Sequence, residues 1–285
     1  MSEIGGLYDF LYVPFLLPKE TVKTLIPPGS TLLPIPIEIF KTFATDPSQH
    51  VNQLFKSHHL VAFQLGYQKG TGPLLMPFGM NFSEAKLEVP FVSHPILNKT
   101  VAENGESESS EPFLLKQTVI FSMGFMSISA NLIAGLKAAS AQFPPKGSDA
   151  PFKVPADSAD SIQYTAEGFL QAFFQPASDG GVAEKETNVE LLDALTTLFH
   201  SQWFGHRTGK AINRFEYARL SPELEPTAIG KEAEIAPRKY LVESGSFNLA
   251  KFRGDKGEQS EEIEIPTGTR AWRVRARYRS FVRNL

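Results

Sequence analysis

Short runs in which apolar and polar residues alternate recur along most of the chain. Alternation with a period of two places every second side chain on the same face of a β-strand, so each run predicts a half-buried strand. The 23 Phe and 21 Pro support this interpretation, because aromatic side chains fill pleated surfaces and proline interrupts strands. The predicted strands span residues 60–68, 86–92, 113–122, 162–175, 214–220, 238–252, 261–265 and 270–282. This spacing predicts a mostly β (α+β) protein built as an antiparallel barrel or a sandwich.

Three segments have helical character. Residues 18–26 begin with proline, which suits a first helical turn, and stop at Pro27-Pro28-Gly29. Residues 187–203 open with a capping box, and their apolar side chains recur at helical spacing on one face. Residues 127–143 are rich in Ala, Ile and Leu, and a helix is an option there despite their Ser and Gly. The sequence therefore predicts a few peripheral helices, with 187–203 packed against the outside of the β domain.

Three polar stretches, near residues 98–112, 144–160 and 176–186, are rich in Gly, Ser and Pro. They hold too few apolar residues to offset the entropy lost on ordering, so we expect mobile surface insertions. Nothing resembles an interdomain linker, and we expect residues 1–285 to form a single domain.

The composition and the motif content argue against several classes of function. The chain has no cysteine, which excludes disulfides, a zinc–thiolate site and a cysteine nucleophile. A formal net charge of −3 gives no reason to expect a nucleic acid partner. The N-terminus lacks a basic secretory signal and there is no membrane-length apolar run, so we expect a cytoplasmic protein without a membrane partner. The six histidines lack metal-ligand spacing, and no nucleotide-binding or hydrolase motif occurs, so we expect no metal and no cofactor.

All 11 arginines lie at or after Arg207, and alternation in the last predicted strand puts Arg273, Arg275 and their neighbours on one face. One interpretation is a solvated hairpin in which Glu262 and Glu264 of the preceding strand oppose these arginines. The alternative is that Arg273 or Arg275 binds the carboxylate of a substrate with both ends of its guanidinium group.

Three segments resemble the acetoacetate decarboxylase superfamily. They are the strand and short helix of residues 11–28, the segment 82–91 in which Glu84 precedes Pro90 by six residues, and the segment 126–144 that closes with Gln142-Phe143-Pro144. The resemblance covers residues 8–145. It implies a closed antiparallel β-barrel or cone with an apolar central cavity. It also implies a lysine that forms a Schiff base with a β-keto acid, its pKa lowered by burial and a neighbouring cation, the property for which acetoacetate decarboxylase is the standard example.

The sequence departs from the family where that chemistry lies. Ala139 and Ser140 stand where the family has its paired lysines, and Leu16 stands where it has a substrate-binding arginine. Gln64 replaces the first of two active-site glutamates, and Glu84 retains the second. If the correspondence holds, the usual Schiff-base mechanism is lost.

Three residues remain as candidates for catalysis. Glu84, on the inward face of an apolar barrel, would have a raised pKa and could transfer protons near neutral pH; the alternative is an outward side chain paired with Lys86. Lys137 lies two positions from the expected lysine, and Lys116 lies on the preceding strand, so either could supply the amine. Gln64, Lys116, Arg273 and Arg275 are candidates for substrate binding.

The leading hypothesis is a cofactor-independent enzyme of small-molecule, secondary-metabolite biosynthesis. It would act on an apolar keto or enol compound by acid–base or lyase-type chemistry, as a cyclase, isomerase, dehydratase or decarboxylase. One alternative is a Schiff-base decarboxylase that uses Lys137 or Lys116. The other is a non-catalytic protein that binds an apolar small molecule. The resemblance also raises the expectation of a homo-oligomer.

Overall fold

The fold comes from a computed structural model, which describes residues 3–43, 51–73, 79–97, 111–144, 161–177, 193–194, 197–199, 201–206, 212–217, 228–229, 232–233, 238–255 and 260–283. The strands in these residues are β1 Glu3–Pro18, β2 His58–Pro73, β3 Met80–Val92, β4 Phe113–Phe121, β5 Ala138–Ser140, β6 Ile162–Ala166, β7 Leu170–Pro176, β8 Trp203–Gly205, β9 Ile212–Tyr217, β10 Ala228–Ile229, β11 Glu232–Ala233, β12 Arg238–Asn248, β13 Glu262–Glu264 and β14 Arg270–Arg283. The helices are α1 Lys19–Lys23, α2 Ile37–Phe43, α3 Val51–Ser57, α4 Gly124–Ile133 and α5 Leu249–Arg253.

Strand pairing closes the main sheet into a ring. The order is β1, β2, β3, β4, β8, β9 and β14, and β14 pairs with β1 again. The pairs in this ring are antiparallel except for β4 with β8. Strands β12, β7 and β6 extend the sheet from β14, and β13 adds to β12. The predicted fold class, a mostly β protein built around an antiparallel barrel, is confirmed.

The two faces of β1 to β4 carry different side chains. One face is apolar, and it packs against β6, β7, β12 and α5 in a core that includes Phe15, Phe63, Leu87, Phe247 and Phe252. The opposite face carries buried charged residues of β3 surrounded by aromatic residues of β1 and β14. Helix α2 packs against it together with Ala194, Leu198 and Phe199. We call it the charged face. The resemblance implied an apolar interior throughout, whereas charge is buried on one of the two faces.

Several predicted elements have different bounds. The predicted strand 162–175 is the hairpin of β6 and β7, because Gly168 adopts φ 75° in the turn between them. The predicted strand 238–252 ends at Asn248, whose side chain accepts a hydrogen bond from the amide of Lys251 and so caps α5. The predicted helix 127–143 is α4 followed by β5.

The two other predicted helices are shorter than expected. The one at 18–26 is confirmed as α1, over Lys19–Lys23. In the segment 187–203, residues 193–194 and 197–199 are helical, but Trp203 belongs to β8. Residues 98–110, 145–160 and 178–186, which hold most of the three predicted insertions, lie outside the described residues.

The predicted pairing of Glu262 and Glu264 with the arginines of β14 is wrong. Strand β13 pairs with β12, so that Glu264 faces Ser246 and Glu262 faces Asn248. The neighbours of β14 are β1, β9 and β12. The turn at Pro266 therefore does not fold β13 back onto β14, since β12 takes that edge.

Candidate active site

Four charged side chains are buried together on β3 and β4. Glu84, Lys86 and Glu88 alternate along β3, and Lys116 lies on β4. Their exposed fractions are 1%, 4%, 0% and 1%. We call these four residues the charged cluster. Charged side chains are almost never fully buried unless they are paired, so this cluster is the most unusual feature of the described core.

Strand register brings the cluster together. In β3 the intervening residues Ala85, Leu87 and Val89 point to the apolar core, which leaves the charged residues on the opposite face. Glu88 faces Lys116 directly across the β3–β4 pair, next to a bulge that adds Gln117 to β4. On the other side of β3, Lys86 faces Gln64 of β2.

Two partners hold one oxygen of the Glu84 carboxylate. Lys86 Nζ lies 2.5 Å from Glu84 Oε1, and Gln68 Nε2 donates to the same oxygen at 2.5 Å. The amide of Gln68 is itself held, because its Oε1 accepts hydrogen bonds from Tyr278 at 2.5 Å and from Thr71 at 2.9 Å. The sequence left open whether Glu84 points inward or lies outward and pairs with Lys86. In the structure Glu84 is buried and is also paired with Lys86.

Lys86 is held from three sides. Besides Glu84, its Nζ donates to Gln64 Oε1 at 3.5 Å and lies 4.5 Å from the centre of the Tyr8 ring. A cation over an aromatic face is attracted by the ring electrons. Lys86 therefore keeps a positive charge fixed on the charged face, and Gln64 contributes to the same arrangement.

Lys116 and Glu88 form the looser pair. Lys116 Nζ lies 3.6 Å from Glu88 Oε1 and 4.3 Å from the centre of the Trp203 ring. Burial and then the positive charge of Lys86 lower the pKa of Lys116 to about 7. Burial raises the pKa of Glu88, and its two oxygens have no hydrogen bond within the described residues. Lys116 can therefore change protonation near neutral pH.

The structure does not bring Lys137 to this cluster. Its Nζ donates to the carbonyl oxygen of Phe252 at 3.2 Å, and the hydroxyl of Thr118 donates to the same oxygen at 2.6 Å. Thr118 faces Leu87 across the β3–β4 pair, which places this contact on the apolar side of β4. Burial lowers the pKa of Lys137, but the residue lies across the sheet from Glu84.

The arginine candidates also lie elsewhere. Nε and Nη2 of Arg273 donate to the two carboxylate oxygens of Asp9, each at 2.9 Å, so its bidentate partner is a residue of β1. Arg273 faces Leu11, and its neighbour Trp272 faces Tyr12, so Arg273 lies on the face opposite the cluster. Arg275 faces Asp9 in the same register, and its side chain lies outside the described residues.

The positions at which the resemblance expects lysines carry none. Ala139 and Ser140 lie in β5, beside Ile120 and Phe121 of β4. Leu16, at the position of the expected arginine, is half-buried against the aromatic cluster of the charged face. Among the described residues, the buried amines on this face are those of Lys86 and Lys116.

Lys86 and Glu88 were not predicted to belong to a buried site. The signal was three charged residues at alternate positions of one predicted strand, with apolar residues between them. That pattern is typical of a solvated outer strand face, and only the cover supplied by distant segments makes it a buried site.

The described residues offer neither a metal site nor a membrane-spanning helix. Among the described residues, no group of three or more His, Asp or Glu could hold a metal ion. None of the described helices combines the length and the apolar character that crossing a membrane would require.

Comparisons with known proteins identify the fold. No family model matches the chain, and no curated protein matches its sequence. Among solved structures, the enduracididine biosynthesis enzyme MppR with HEPES buffer bound is similar, with a TM-score of 0.50 and 9% identity over 99% of this chain and 87% of that chain. An acetoacetate decarboxylase from Legionella pneumophila is also similar, with a TM-score of 0.44 and 8% identity over 98% of this chain and 84% of that chain. At such identities the likeness concerns the fold alone, and the chain has an acetoacetate decarboxylase-like fold.

Proposed function

We propose that this protein is a cofactor-independent, lyase-type enzyme that acts on an apolar keto or enol compound through the amine of Lys116. The observation that carries the proposal is a fully buried lysine, beside a second cation, whose pKa is lowered to about 7. About half of such a lysine is neutral at pH 7, and the neutral amine is the nucleophile. Neither Lys137 nor the positions of Ala139 and Ser140 offers this setting.

The chemistry follows from the two members of the looser pair. Lys116 Nζ adds to the carbonyl carbon of the substrate, and the carbonyl oxygen leaves as water, which gives a protonated Schiff base. Its nitrogen accepts the electron pair when an adjacent C–C or C–H bond breaks, releasing carbon dioxide or a proton. Glu88, 3.6 Å from Nζ, takes up and returns the proton, and hydrolysis frees the lysine.

Glu84 takes a different role from the one expected of it. Lys86 and Gln68 both contact Oε1 of its carboxylate, which fixes the orientation of the side chain. We propose that Glu84 is a positioning residue, which fixes Lys86 so that the charge of Lys86 adds to the effect of burial in lowering the pKa of Lys116. Glu88 then replaces Glu84 as the acid–base group.

The surroundings suit a largely apolar substrate. Tyr8, Tyr12 and Trp203 lie on the same buried face as the cluster, and aromatic walls favour an apolar body while the charges orient one polar group. A role in secondary-metabolite biosynthesis, a cytoplasmic location and self-association remain part of the proposal. The exposed face of α4 is the surface that would carry self-association.

Borohydride trapping tests the proposal. The protein is incubated with a panel of β-keto acids and pyruvate and reduced, and the modified lysine is located by peptide mass mapping. We expect an adduct on Lys116 whose yield rises as the pH passes through about 7. A Lys41→Met control, altered on an exposed lysine of α2, should keep the full yield.

Other outcomes would replace the proposal. An adduct on Lys86 or Lys137 would move the amine to that residue. Turnover of a keto compound without any adduct would favour acid–base catalysis by Glu88 or Glu84. A tightly bound metabolite that is neither trapped nor converted would favour a binding protein. This alternative is supported by the pairing within the cluster, where each charge already has an opposite charge beside it.

A further inference from the structure

A cavity of about 500 Å³ lies away from the charged cluster, between α1, residues 30–35 and the start of β2. Its size is within the range of small-molecule sites. Most of its wall is aliphatic, from Ile26, Leu32, Leu33, Pro34 and Ile35, and Phe55 closes one side. None of its lining residues belongs to the charged cluster. Binding in this cavity is therefore independent of the proposed function.

The charged groups of this cavity have one sign. Lys19 and Lys23 line it together with His58 and His59, and among the described residues no acidic side chain does. Lys23 is already paired with Glu20 at 2.7 Å, which leaves Lys19 as the cation for a ligand. Lys19 is half-buried, and one of its three donors is used by the carbonyl oxygen of Phe55 at 3.1 Å.

The polar wall is fixed before any ligand binds. His59 Nε2 donates to the carbonyl oxygen of Pro90 at 2.9 Å, and burial lowers the pKa of His59 to about 4, so the ring is neutral at physiological pH. The hydroxyl oxygen of Ser30 is buried and has no hydrogen-bond partner within the described residues. An unmet buried hydroxyl beside a cavity is a group that a ligand can satisfy.

The backbone around the cavity is also pre-formed. Residues 31–33 are tied to the end of β3, since Thr31 and Ser93 exchange hydrogen bonds and the amide of Leu33 donates to the carbonyl oxygen of Phe91 at 2.8 Å. Phe91 itself adopts φ 56°, a conformation that is unfavourable for a bulky residue and is retained where the surroundings fix it. A rigid wall lowers the entropy lost on binding.

We propose that this cavity is a second binding site, specific for a medium-chain aliphatic carboxylate. The aliphatic wall would bury the chain of the ligand. The ammonium of Lys19 and the hydroxyl of Ser30 would both donate to its carboxylate, in hydrogen bonds that are charge-assisted because the acceptor is ionised. The absence of acidic residues from the lining disfavours amines and selects for anions.

Calorimetric titration with octanoate tests this site, with 1-octanol and octylamine as probes of the same chain length. We expect octanoate to bind with one site per chain and more tightly than either neutral or cationic probe. Lys19→Met should weaken octanoate binding at least about tenfold, whereas Lys41→Met, which removes an exposed lysine outside the cavity, should leave it unchanged. Leu33→Trp, which fills the cavity, should abolish binding while circular dichroism stays that of the wild type.

Three results would overturn the inference. The first is no octanoate binding at millimolar concentration. The second is equal affinity of the wild type and the two cavity variants. The third is octanoate binding that is lost in Lys116→Met and kept in Leu33→Trp, which would place the ligand at the charged cluster instead.

Discussion

The buried ion pair of Lys116 and Glu88 costs free energy that a purely structural core would not need to lose. Removing charges from water is expensive, and their attraction repays it only with good geometry and further hydrogen bonds. At 3.6 Å, with no hydrogen bond to either Glu88 oxygen within the described residues, this pair has neither. A pair of this kind is better explained by chemistry than by stability.

Urea unfolding at pH 7 measures that cost. Lys116→Met alone leaves Glu88 buried without its nearest cation and should lower the free energy of unfolding by about 3–5 kcal/mol. Lys116→Met combined with Glu88→Leu removes both charges and should be within about 1 kcal/mol of the wild type, or more stable. Lys23→Met, at an exposed pair, serves as the control and should change stability by less than about 0.5 kcal/mol. A double variant as unstable as the single variant would mean that the pair stabilises the fold.

The pKa of Lys116 makes a second residue-level prediction. The unfolded chain binds the lysine proton up to its ordinary pKa of about 10.5, whereas the folded chain releases it at about 7. Between these values the unfolded state holds more protons, so the contribution of Lys116 to the free energy of unfolding rises with pH.

Comparing the wild type with Lys116→Met at pH 8, 9 and 10 tests this sign. The free energy of unfolding of the wild type minus that of the variant should increase by as much as about 1.4 kcal/mol per pH unit. Parallel profiles would show that Lys116 keeps an ordinary pKa in the folded protein, and the amine mechanism would lose its support.

At the level of elements, the sequence predicts strands well where only one face is buried. The alternation in β14 places Trp272, Val274 and Ala276 in the core, as the structure has them. The first half of β1 was missed because Gly5, Gly6 and Asp9 interrupt its apolar residues, so it shows no regular alternation.

The candidate site was predictable only in part, for a related reason. The residues of β3 and Lys116 were visible in the sequence, but their burial depends on elements that are remote in the chain, such as α2, Leu198 and Phe199. Periodicity carries no information on which face a distant element covers. Glu84 was therefore found through the resemblance, whereas periodicity alone predicts that Lys86 and Glu88 lie on a solvated strand face.

The contact of Arg273 with Asp9 gives a prediction for the β1–β14 pair. Asp9 is buried, and Arg273→Met would leave its carboxylate without the two charge-assisted hydrogen bonds it accepts. We expect the free energy of unfolding to fall by about 1.5–3 kcal/mol, with catalytic constants unchanged in the folded fraction. Arg277→Met, on the same strand and exposed, is the matched control and should lie within about 0.5 kcal/mol of the wild type. A variant of full stability that no longer binds substrate would restore Arg273 as a substrate-binding residue.

For the whole molecule, ring closure has a consequence for association. Pairing β14 with β1 removes two edges at which another sheet could add, so assembly through strand addition is not expected in the ring. The exposed apolar surface lies instead on α4, where the exposed fractions of Phe125, Ile128 and Leu132 are 64%, 61% and 63%. These residues are three and four positions apart and therefore form one stripe on the helix.

We expect this stripe to contact a second copy of the chain. Helix α4 contains no charged residue, so two copies can pack against each other without repulsion between like charges, and each covers the apolar stripe of the other. Light scattering coupled to size-exclusion chromatography should show the wild type as an oligomer and Ile128→Asp combined with Leu132→Ser as a smaller species. Ile96→Asp places the same charge on an exposed apolar residue outside α4 and should keep the mass of the wild type. A monomeric wild type, or equal masses for all three proteins, would mean that α4 is not the contact between copies.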